Sequence, residues 1–354
     1  MGIKKIVDKT KYLYHCFHAI TADEKSVVGD AGRMAITTKL KYMLLGFSKQ
    51  DIAYYGFPKN DYRNYISTAE RLKLEDLNGR FAYILGEKVM LERIWGDYIN
   101  VPKTYCLIER KHFLDLSDES LEFDIVELLK KHHKLLAKPT RSCGGGHGVT
   151  SLSFIDESFL IGSKRYDEIE FIKALREYEG YLISDWITQH KYSSNVFPDS
   201  TNTIRVVTIM NHKTNKSDVL LTMHRWGTKQ SAPVDNACSG GLFCYIDSKT
   251  GVCGAARNLI TPNVVFNEHP STKVAINGLM IPNWSNIISK IRHVHNCFPY
   301  YEFLAWDIVI DENENPYVIE INRGMDVHWL QIERPQRNDK VGKYMRAKGL
   351  LRKW

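Results

Sequence analysis

FLAWDIVIDENENPYVIEIN, residues Phe303 to Asn322, is the stretch that decides how this chain is read. Two apolar segments, Leu304 to Ile310 and Tyr317 to Asn322, have the composition of strands. The polar run Asp311-Glu312-Asn313-Glu314-Asn315-Pro316 between them is a turn. Asp307, Glu320 and Asn322 are hard oxygen ligands set in strands that should otherwise be buried, where a bare carboxylate is costly unless something positive neutralises it. Glu320 and Asn322 lie two apart and so share one face of a strand, and a hairpin closing at the turn can bring Asp307 beside them. Two acids and an amide on one sheet face suit Mg²⁺, which takes one or two carboxylates and shares its other positions with phosphate and water. An ordinary hairpin with acids at a solvated edge is the plainer alternative, and the rest of the chain must decide between the two.

The chain has 354 residues, 44% of them hydrophobic, enough to bury a sizeable core and to divide into more than one lobe. Its 48 Lys and Arg against 41 Asp and Glu leave a formal charge of +7. That excess is modest and dispersed, and suits an anionic ligand or a lipid surface as easily as a nucleic acid. No basic run with interleaved aromatics favours nucleic acid. The seven cysteines form no Cys-x-x-Cys pair and no regular spacing, the pattern of free thiols in a reducing compartment rather than of a disulfide or zinc framework. Met1 to Ile6 lacks the apolar core of a signal peptide, and Ile6 stands where a myristoylation signal wants Ser or Thr. No apolar run approaches the ~18 residues of a membrane span. The expectation is a soluble, cytoplasmic protein.

Residues 1–97 read as mainly helical. Ile3 to Ile20 mixes lysines with Ile6, Val7, Tyr12, Leu13, Tyr14 and Phe17, and this helix either packs on its own domain or touches an anionic membrane surface. Thr37 to Leu45 and Ile66 to Leu77 carry apolar residues at helical intervals, and Asp51 to Arg63 reads as a connector. Tyr98 to Tyr105 starts a new lobe, and Asp124 to His132 has helical periodicity.

Next comes Leu135-Leu136-Ala137-Lys138-Pro139-Thr140-Arg141-Ser142-Cys143-Gly144-Gly145-Gly146-His147-Gly148-Val149. An apolar strand ends at a lysine, a glycine-rich loop follows, and a strand resumes from Val149 to Ile155. Four glycines let backbone N–H groups close on a polyphosphate where a Cβ would obstruct, and Lys138 adds a point charge. No Gly-Lys-Ser/Thr follows, so this is not a P-loop, and the loop leads into a strand rather than the helix a dinucleotide fingerprint needs. A hairpin lying over phosphates as a flap fits, as does a flexible surface hairpin.

Tyr166 to Tyr178 reads as a helix and Tyr181 to Ile187 as a strand, followed by Gln189-His190. Ser200 to Ile209 turns into a strand with Arg205 near its start. Val219 to Trp226 and Gly240 to Ile246 read as strands, with Val234-Asp235-Asn236 between them, and Pro282 to Asn296 as a helix. This alternation indicates α+β or mixed α/β architecture. No Ser/His/Asp or Cys/His arrangement for a covalent nucleophile stands out. Cys143 reads as a small loop residue and His132, His133, His190 and His224 as structural or solvated; His147, inside the loop, is the histidine most open to a role.

With the lysine, the glycine loop and the terminal Asp…Glu-x-Asn in that order, the chain resembles the ATP-grasp superfamily from about Pro102 to Asn322. More narrowly, it resembles the sugar-transfer-associated ATP-grasp proteins that accompany cell-surface polysaccharide synthesis. Val101-Pro102-Lys103, Lys138-Pro139, Gly144 to Gly148, Ile187 to His190, Ser200 to Arg205, Val234 to Asn236, Gly240-Gly241, Asp307 and Glu320-Ile321-Asn322 carry the likeness. It implies an α+β fold in which two subdomains grip ATP. The parts would be a helical region (1–97), a lid subdomain (98–186), a C-terminal subdomain (187–332) and a basic tail (333–354).

The resemblance further implies that Lys103 and Lys138 contact the α- and β-phosphates under a loop of Gly144, Gly145, Gly146, His147 and Gly148. Adenine would lie against Asp185, Trp186, Ile187 and Gln189, although many relatives carry Glu where this chain has Ser184-Asp185. Asp307, Glu320 and Asn322 would hold Mg²⁺, and Arg205 would stabilise transferred phosphate. Arg225, Asp235, Asn236 and Arg323 are the expected substrate contacts; for Asp235-Asn236 a turn is an equally simple reading.

The implied activity is a carboxylate–amine ligase that works through an acyl phosphate. Its partners would be a small carboxylate and an amine, the carboxylate on a sugar, sugar nucleotide or lipid-linked glycan, and no nucleic acid. A kinase of a sugar or small molecule, or a non-catalytic nucleotide-binding component of a polysaccharide assembly complex, are the alternatives. The basic run from Arg334 to Lys353 is a solvated helix or a contact with anionic lipid at the inner membrane face.

Overall fold

The structure, a computed structural model, describes Tyr14, Phe17, His18, Thr21 and residues 34–117, 123–140 and 148–353. The expected helix from Ile3 to Ile20 lies largely outside them. Helices α1 (Ile36–Leu44) and α3 (Thr68–Glu75) form where the apolar spacing is helical. Between them α2 (Lys49–Tyr54) occupies the start of the expected connector. Ser48 nucleates it: its hydroxyl accepts from the Asp51 N–H while the Asp51 carboxylate accepts from the Ser48 N–H, both at 3.0 Å. Ser67 and Glu70 repeat that device on α3, and α4 (Val89–Trp95) ends the helical segment. Among the described residues the segment has no core of its own, because Tyr42, Phe47, Ile52 and Ile66 share one apolar cluster with Val207, Leu221, Phe303 and Ala305.

The first sheet takes β1 (Thr104–Glu109), β2 (His112–Asp115), β3 (Lys134–Pro139), β4 (Thr150–Ile155), β5 (Ser158–Ile161), β6 (Lys164–Tyr166) and β7 (Tyr181–Asp185). Their spatial order is β2-β1-β7-β3-β4-β5-β6, antiparallel throughout. Helices α5 (Ile125–His132) and α6 (Glu168–Leu175) cover it with Ile125, Leu129, Phe171 and Leu175. The β5–β6 hairpin leaves no signal in the sequence, since strands of four and three residues are too short to show a period.

The second sheet follows a short helix, α7 (Lys191–Ser194). It comprises β8 (Ile204–Asn211), β9 (Lys216–Trp226), β10 (Leu242–Tyr245), β11 (Phe303–Ile310) and β12 (Pro316–Asn322), ordered β10-β9-β8-β11-β12. Helix α8 (Trp284–Cys297) precedes β11, and α9 (Val327–Glu333) and α10 (Lys340–Ala347) follow β12. Every residue of β11 is buried. Leu304, Trp306, Ile308 and Ile310 face α8 and Trp95 of α4, while Phe303 and Ala305 face the cluster of the N-terminal helices, α9 and α10. Cover on both faces explains why this strand reads as a continuous apolar run, each large side chain contributing roughly 1.5–3 kcal/mol on burial. The open edge of β12 is capped from the helical side: the Gly86 N–H donates to Ile321 O at 2.7 Å, and the Val318 N–H donates to Asn100 O at 2.9 Å.

The basic C-terminal run is only partly solvated. Lys343, Arg346 and Lys353 are exposed, but Arg337 is buried and grips Glu70 of α3 through two contacts of 2.7 and 2.9 Å. Among the described residues no helix is long and apolar enough to cross a membrane.

Candidate active site

The two sheets enclose a cleft of about 590 Å³. Its floor is the β11–β12 hairpin, where Asp307 pairs with Glu320 and Ala305 with Asn322, so the three oxygen-bearing side chains share one face. The Asn322 amide donates to Asp307 Oδ2 at 3.1 Å.

Asp307 is neutralised from the neighbouring strands. Arg205 stands opposite it in the β8–β11 register and donates from Nε to Oδ1 at 2.5 Å and from Nη2 to Oδ2 at 3.1 Å. Arg225 of β9 brings Nη2 to 3.1 Å from the same Oδ2. Burial pushes the Asp307 carboxyl up, and the two guanidinium groups more than offset it, leaving it below the usual carboxylate range. Arg205 also donates from Nη1 to Asp326 Oδ2 at 2.5 Å and to Gly324 O at 3.3 Å. Its guanidinium is therefore directed at protein acceptors on both sides.

Among the described residues no group of three or more His, Cys, Asp or Glu could hold a metal ion; two carboxylates and an amide are the donor chemistry that suits Mg²⁺, whose other positions phosphate and water would take. Glu320 and Asn322 face the cleft directly, whereas Asp307 would share its oxygens with Arg205 and Arg225.

Near Glu320, Lys138 of β3 lines the cleft and is buried. Burial, reinforced by Lys88 and opposed by Glu320, lowers its ammonium to about 8. Lys88, at the N-cap of α4, holds Glu320 Oε1 at 3.1 Å and lines the cleft beside Lys138. Sequence reasoning missed Lys88, which stands outside every recognisable motif. Lys103, by contrast, is not among the lining residues; its ammonium lies 5.6 Å from the Tyr105 ring centre and Pro102 lines the cleft instead. Gly144, Gly145, Gly146 and His147 lie outside the described residues. Gly148 has φ +82°, and a Cβ there would come within 2.4 Å of the Tyr181 hydroxyl, so only glycine fits.

The apolar part of the lining comes from Pro102, Leu136, Val149, Ile187, Val309 and Ile319, and Asp185 and Trp186 line the cleft as well. The Asp185 carboxylate accepts from the Tyr105 hydroxyl at 2.7 Å and the Lys103 N–H at 3.1 Å. Gln189 lies outside the lining: its amide donates to Ser200 O at 2.7 Å and accepts from Ser193 Oγ at 3.0 Å and the Asn202 N–H at 3.1 Å. It staples a loop.

Arg225, also in the lining, donates from Nε and Nη2 to Thr203 Oγ1 at 2.9 and 2.6 Å. Asp235 accepts from the Thr203 N–H at 2.8 Å and its hydroxyl at 2.5 Å. Asn236 caps a short turn through the Cys238 N–H at 3.0 Å. Both line the cleft while also filling a turn role. Arg323 points away, 64% exposed and 4.0 Å from Glu75. Asp326, which sequence reasoning did not single out, does line the cleft. His224 is buried under the Trp226 ring at 3.6 Å, and burial lowers it to about 3, a neutral structural residue.

The family described as sugar-transfer associated ATP-grasp matches residues 67–336. No curated protein matches the chain. Among solved structures, an L-amino acid ligase from Bacillus licheniformis aligns at 13% identity over 70% of this chain and 42% of that one, with a TM-score of 0.34. The biotin carboxylase domain of a Hydrogenobacter thermophilus 2-oxoglutarate carboxylase aligns at 13% over 77% and 47%, TM-score 0.43. A D-alanine–D-alanine ligase from Bacillus anthracis aligns at 13% over 79% and 77%, TM-score 0.37. The chain spans less than half the length of the first solved chains it matches.

Proposed function

The chain belongs to the sugar-transfer-associated ATP-grasp family, and from that premise we propose that it is an ATP-dependent carboxylate–amine ligase. The observation that carries this reading is the ordering of charge along one cleft. Lys88 and Lys138 stand beside Glu320 and Asn322, and the Arg205–Asp307–Arg225 group follows immediately. Lys88 and Lys138 neutralise the polyphosphate. Asp307, Glu320 and Asn322 would hold Mg²⁺, which supplies charge neutralisation at the phosphates. A carboxylate oxygen of the first substrate attacks the γ-phosphorus, ADP leaves, and an acyl phosphate forms. The amine nitrogen then attacks the acyl carbon, inorganic phosphate departs and the nitrogen loses a proton. Such chemistry needs positioning and charge stabilisation rather than a covalent protein nucleophile. Arg225, whose side chain is 13% exposed against 4% for Arg205, is the guanidinium better placed to meet the transferred phosphate, and Arg205 positions it through Asp307.

The substrates in this reading are a sugar carboxylate, free, nucleotide-linked or lipid-linked, and an amine, joined during surface polysaccharide synthesis. The exposed lysines and arginines of α10 and the chain after it would meet the inner face of the membrane. ADP release from MgATP is the test, measured with amino acids crossed against uronic-acid sugars and with Glu320→Ala in parallel. ADP that appears only with a carboxylate and an amine together, and is lost in Glu320→Ala, supports ligation. ADP formed with a hydroxyl-bearing substrate alone replaces the ligase with a kinase. Tight nucleotide binding without turnover leaves a nucleotide-binding component of an assembly complex.

A further inference from the structure

Arg225 meets the cleft with only part of its guanidinium. Its Nε and Nη2 both donate to Thr203 Oγ1, at 2.9 and 2.6 Å, and Nη2 also lies 3.1 Å from Asp307 Oδ2. Among the described residues Nη1 makes no hydrogen bond, nor is it one of the buried side-chain atoms left without a partner. It is therefore the end that stays open to the cleft that Arg225 lines. Arg205 differs, because its Nε, Nη1 and Nη2 all donate to protein oxygens.

Thr203, immediately before β8 and 3% exposed, decides which end of Arg225 is left open. A hydroxyl has one proton to give and two lone pairs with which to accept. Asp235 fixes how they are used. The bridge between Thr201 and Val234 sets Asp235 against Thr203, where its Oδ2 accepts from the Thr203 N–H at 2.8 Å and from the hydroxyl at 2.5 Å. With its proton committed to a carboxylate, the hydroxyl turns its lone pairs to Arg225, and a charged donor makes those contacts strong. The Arg225 backbone N–H adds a further tie, donating to Thr203 O at 2.8 Å. Asp235, expected from the sequence as a substrate contact, commits Oδ2 to this chain of bonds.

We propose that Thr203 is a positioning residue: held by Asp235, it turns the Arg225 guanidinium so that Nη1 meets the phosphoryl group passing from ATP to the substrate carboxylate. The inference rests on the ligase reading and adds to it the residue that aims the arginine. Thr203 acts through Arg225 alone. Without its hydroxyl, Nε and Nη2 lose their acceptor, the guanidinium turns toward the carboxylates of Asp235 and Asp307, and Nη1 is drawn away from the cleft.

The test is calorimetric titration of inorganic phosphate into the intact protein saturated with MgADP. The wild type should bind phosphate. Thr203→Val keeps the shape and removes the hydroxyl; it should bind phosphate about tenfold more weakly, as loss of one charged hydrogen bond does, while MgADP affinity changes by less than about threefold. Thr203→Ser, which keeps the hydroxyl, should restore phosphate binding. Arg225→Met should weaken it at least as much as Thr203→Val, and the double variant should be no weaker than Arg225→Met, because nothing is left to aim. A wild type that binds MgADP but no phosphate overturns the proposal. So does Thr203→Val with wild-type phosphate binding or with equal losses of phosphate and MgADP, Thr203→Ser as weak as Thr203→Val, or losses that add in the double variant. If Thr203→Val does not fold, Asp235→Ala, which frees the hydroxyl proton, should show the same selective loss, and undiminished phosphate binding there overturns the proposal. Failure of the wild type to bind MgADP would instead remove the ligase reading beneath it, so the two failures are distinguishable.

Discussion

Arg205 and Asp307 face each other across the β8–β11 pairing, joined at 2.5 and 3.1 Å with both side chains 4% exposed. A pair so buried adds little net stability over an apolar pair, yet removing one partner strands the other's charge. Arg205→Met should therefore cost about 3–5 kcal/mol in urea denaturation, because Asp326 loses its counter-ion and Asp307 keeps only Arg225. Adding Asp307→Leu should recover much of that loss. A single substitution costing under about 1 kcal/mol would mean that the network is not held as described.

Lys138 should make nucleotide binding weaken at alkaline pH. Its ammonium falls from an ordinary 10.5 to about 8 because burial, then Lys88, disfavours the charge. Between those values the unfolded chain binds a proton that the folded protein does not, so folding stability rises with pH across that window. Phosphate needs the ammonium, so affinity for MgADP should fall as pH rises through about 8. Calorimetric titration from pH 7 to 9.5 should show the decline in the wild type and a flat profile in Lys138→Arg. A flat wild-type profile would contradict the placement of Lys138.

Lys88 and Lys103 should separate cleanly. Lys88→Met removes an ammonium that lines the cleft and should weaken MgADP binding by about 10- to 100-fold, as loss of a charged contact does. Lys103→Met, whose ammonium sits by the Tyr105 ring, should change it by less than about threefold. The reverse ranking would restore Lys103 as the second phosphate lysine.

Glu70 and Arg337 tie the helical segment to the C-terminal run, with side chains 6% and 2% exposed. Burial raises the Glu70 carboxyl, but Arg337 and backbone donors more than offset it and leave it lowered. The stabilisation is thus complete above the unfolded value of about 4.3 and lost as pH falls through the lower folded value. Glu70→Ala should cost about 3–5 kcal/mol at pH 7 and distinctly less near pH 3, read from denaturation midpoints.

Sequence alone determined what depends on near neighbours. Strand period places Glu320 and Asn322 on one face, the polar run 311–316 closes the hairpin, and Asp124 starts α5 as its N-cap. The long apolar runs of the second sheet are legible because both of its faces are covered. Only the start of the connector at 51–63 is helical, because one capping box outweighs a weak apolar pattern there. Only the tertiary structure decided which charges meet. Arg205, Arg225, Asp307 and Asp326 lie up to 121 positions apart and converge through the register of three strands and the turn after β12. Packing likewise brought Lys88 into the cleft and turned Lys103, Gln189 and Arg323 out of it. Backbone periodicity is set residue by residue, but a buried charge is neutralised by whatever the fold carries to it, and that partner has no fixed distance along the chain.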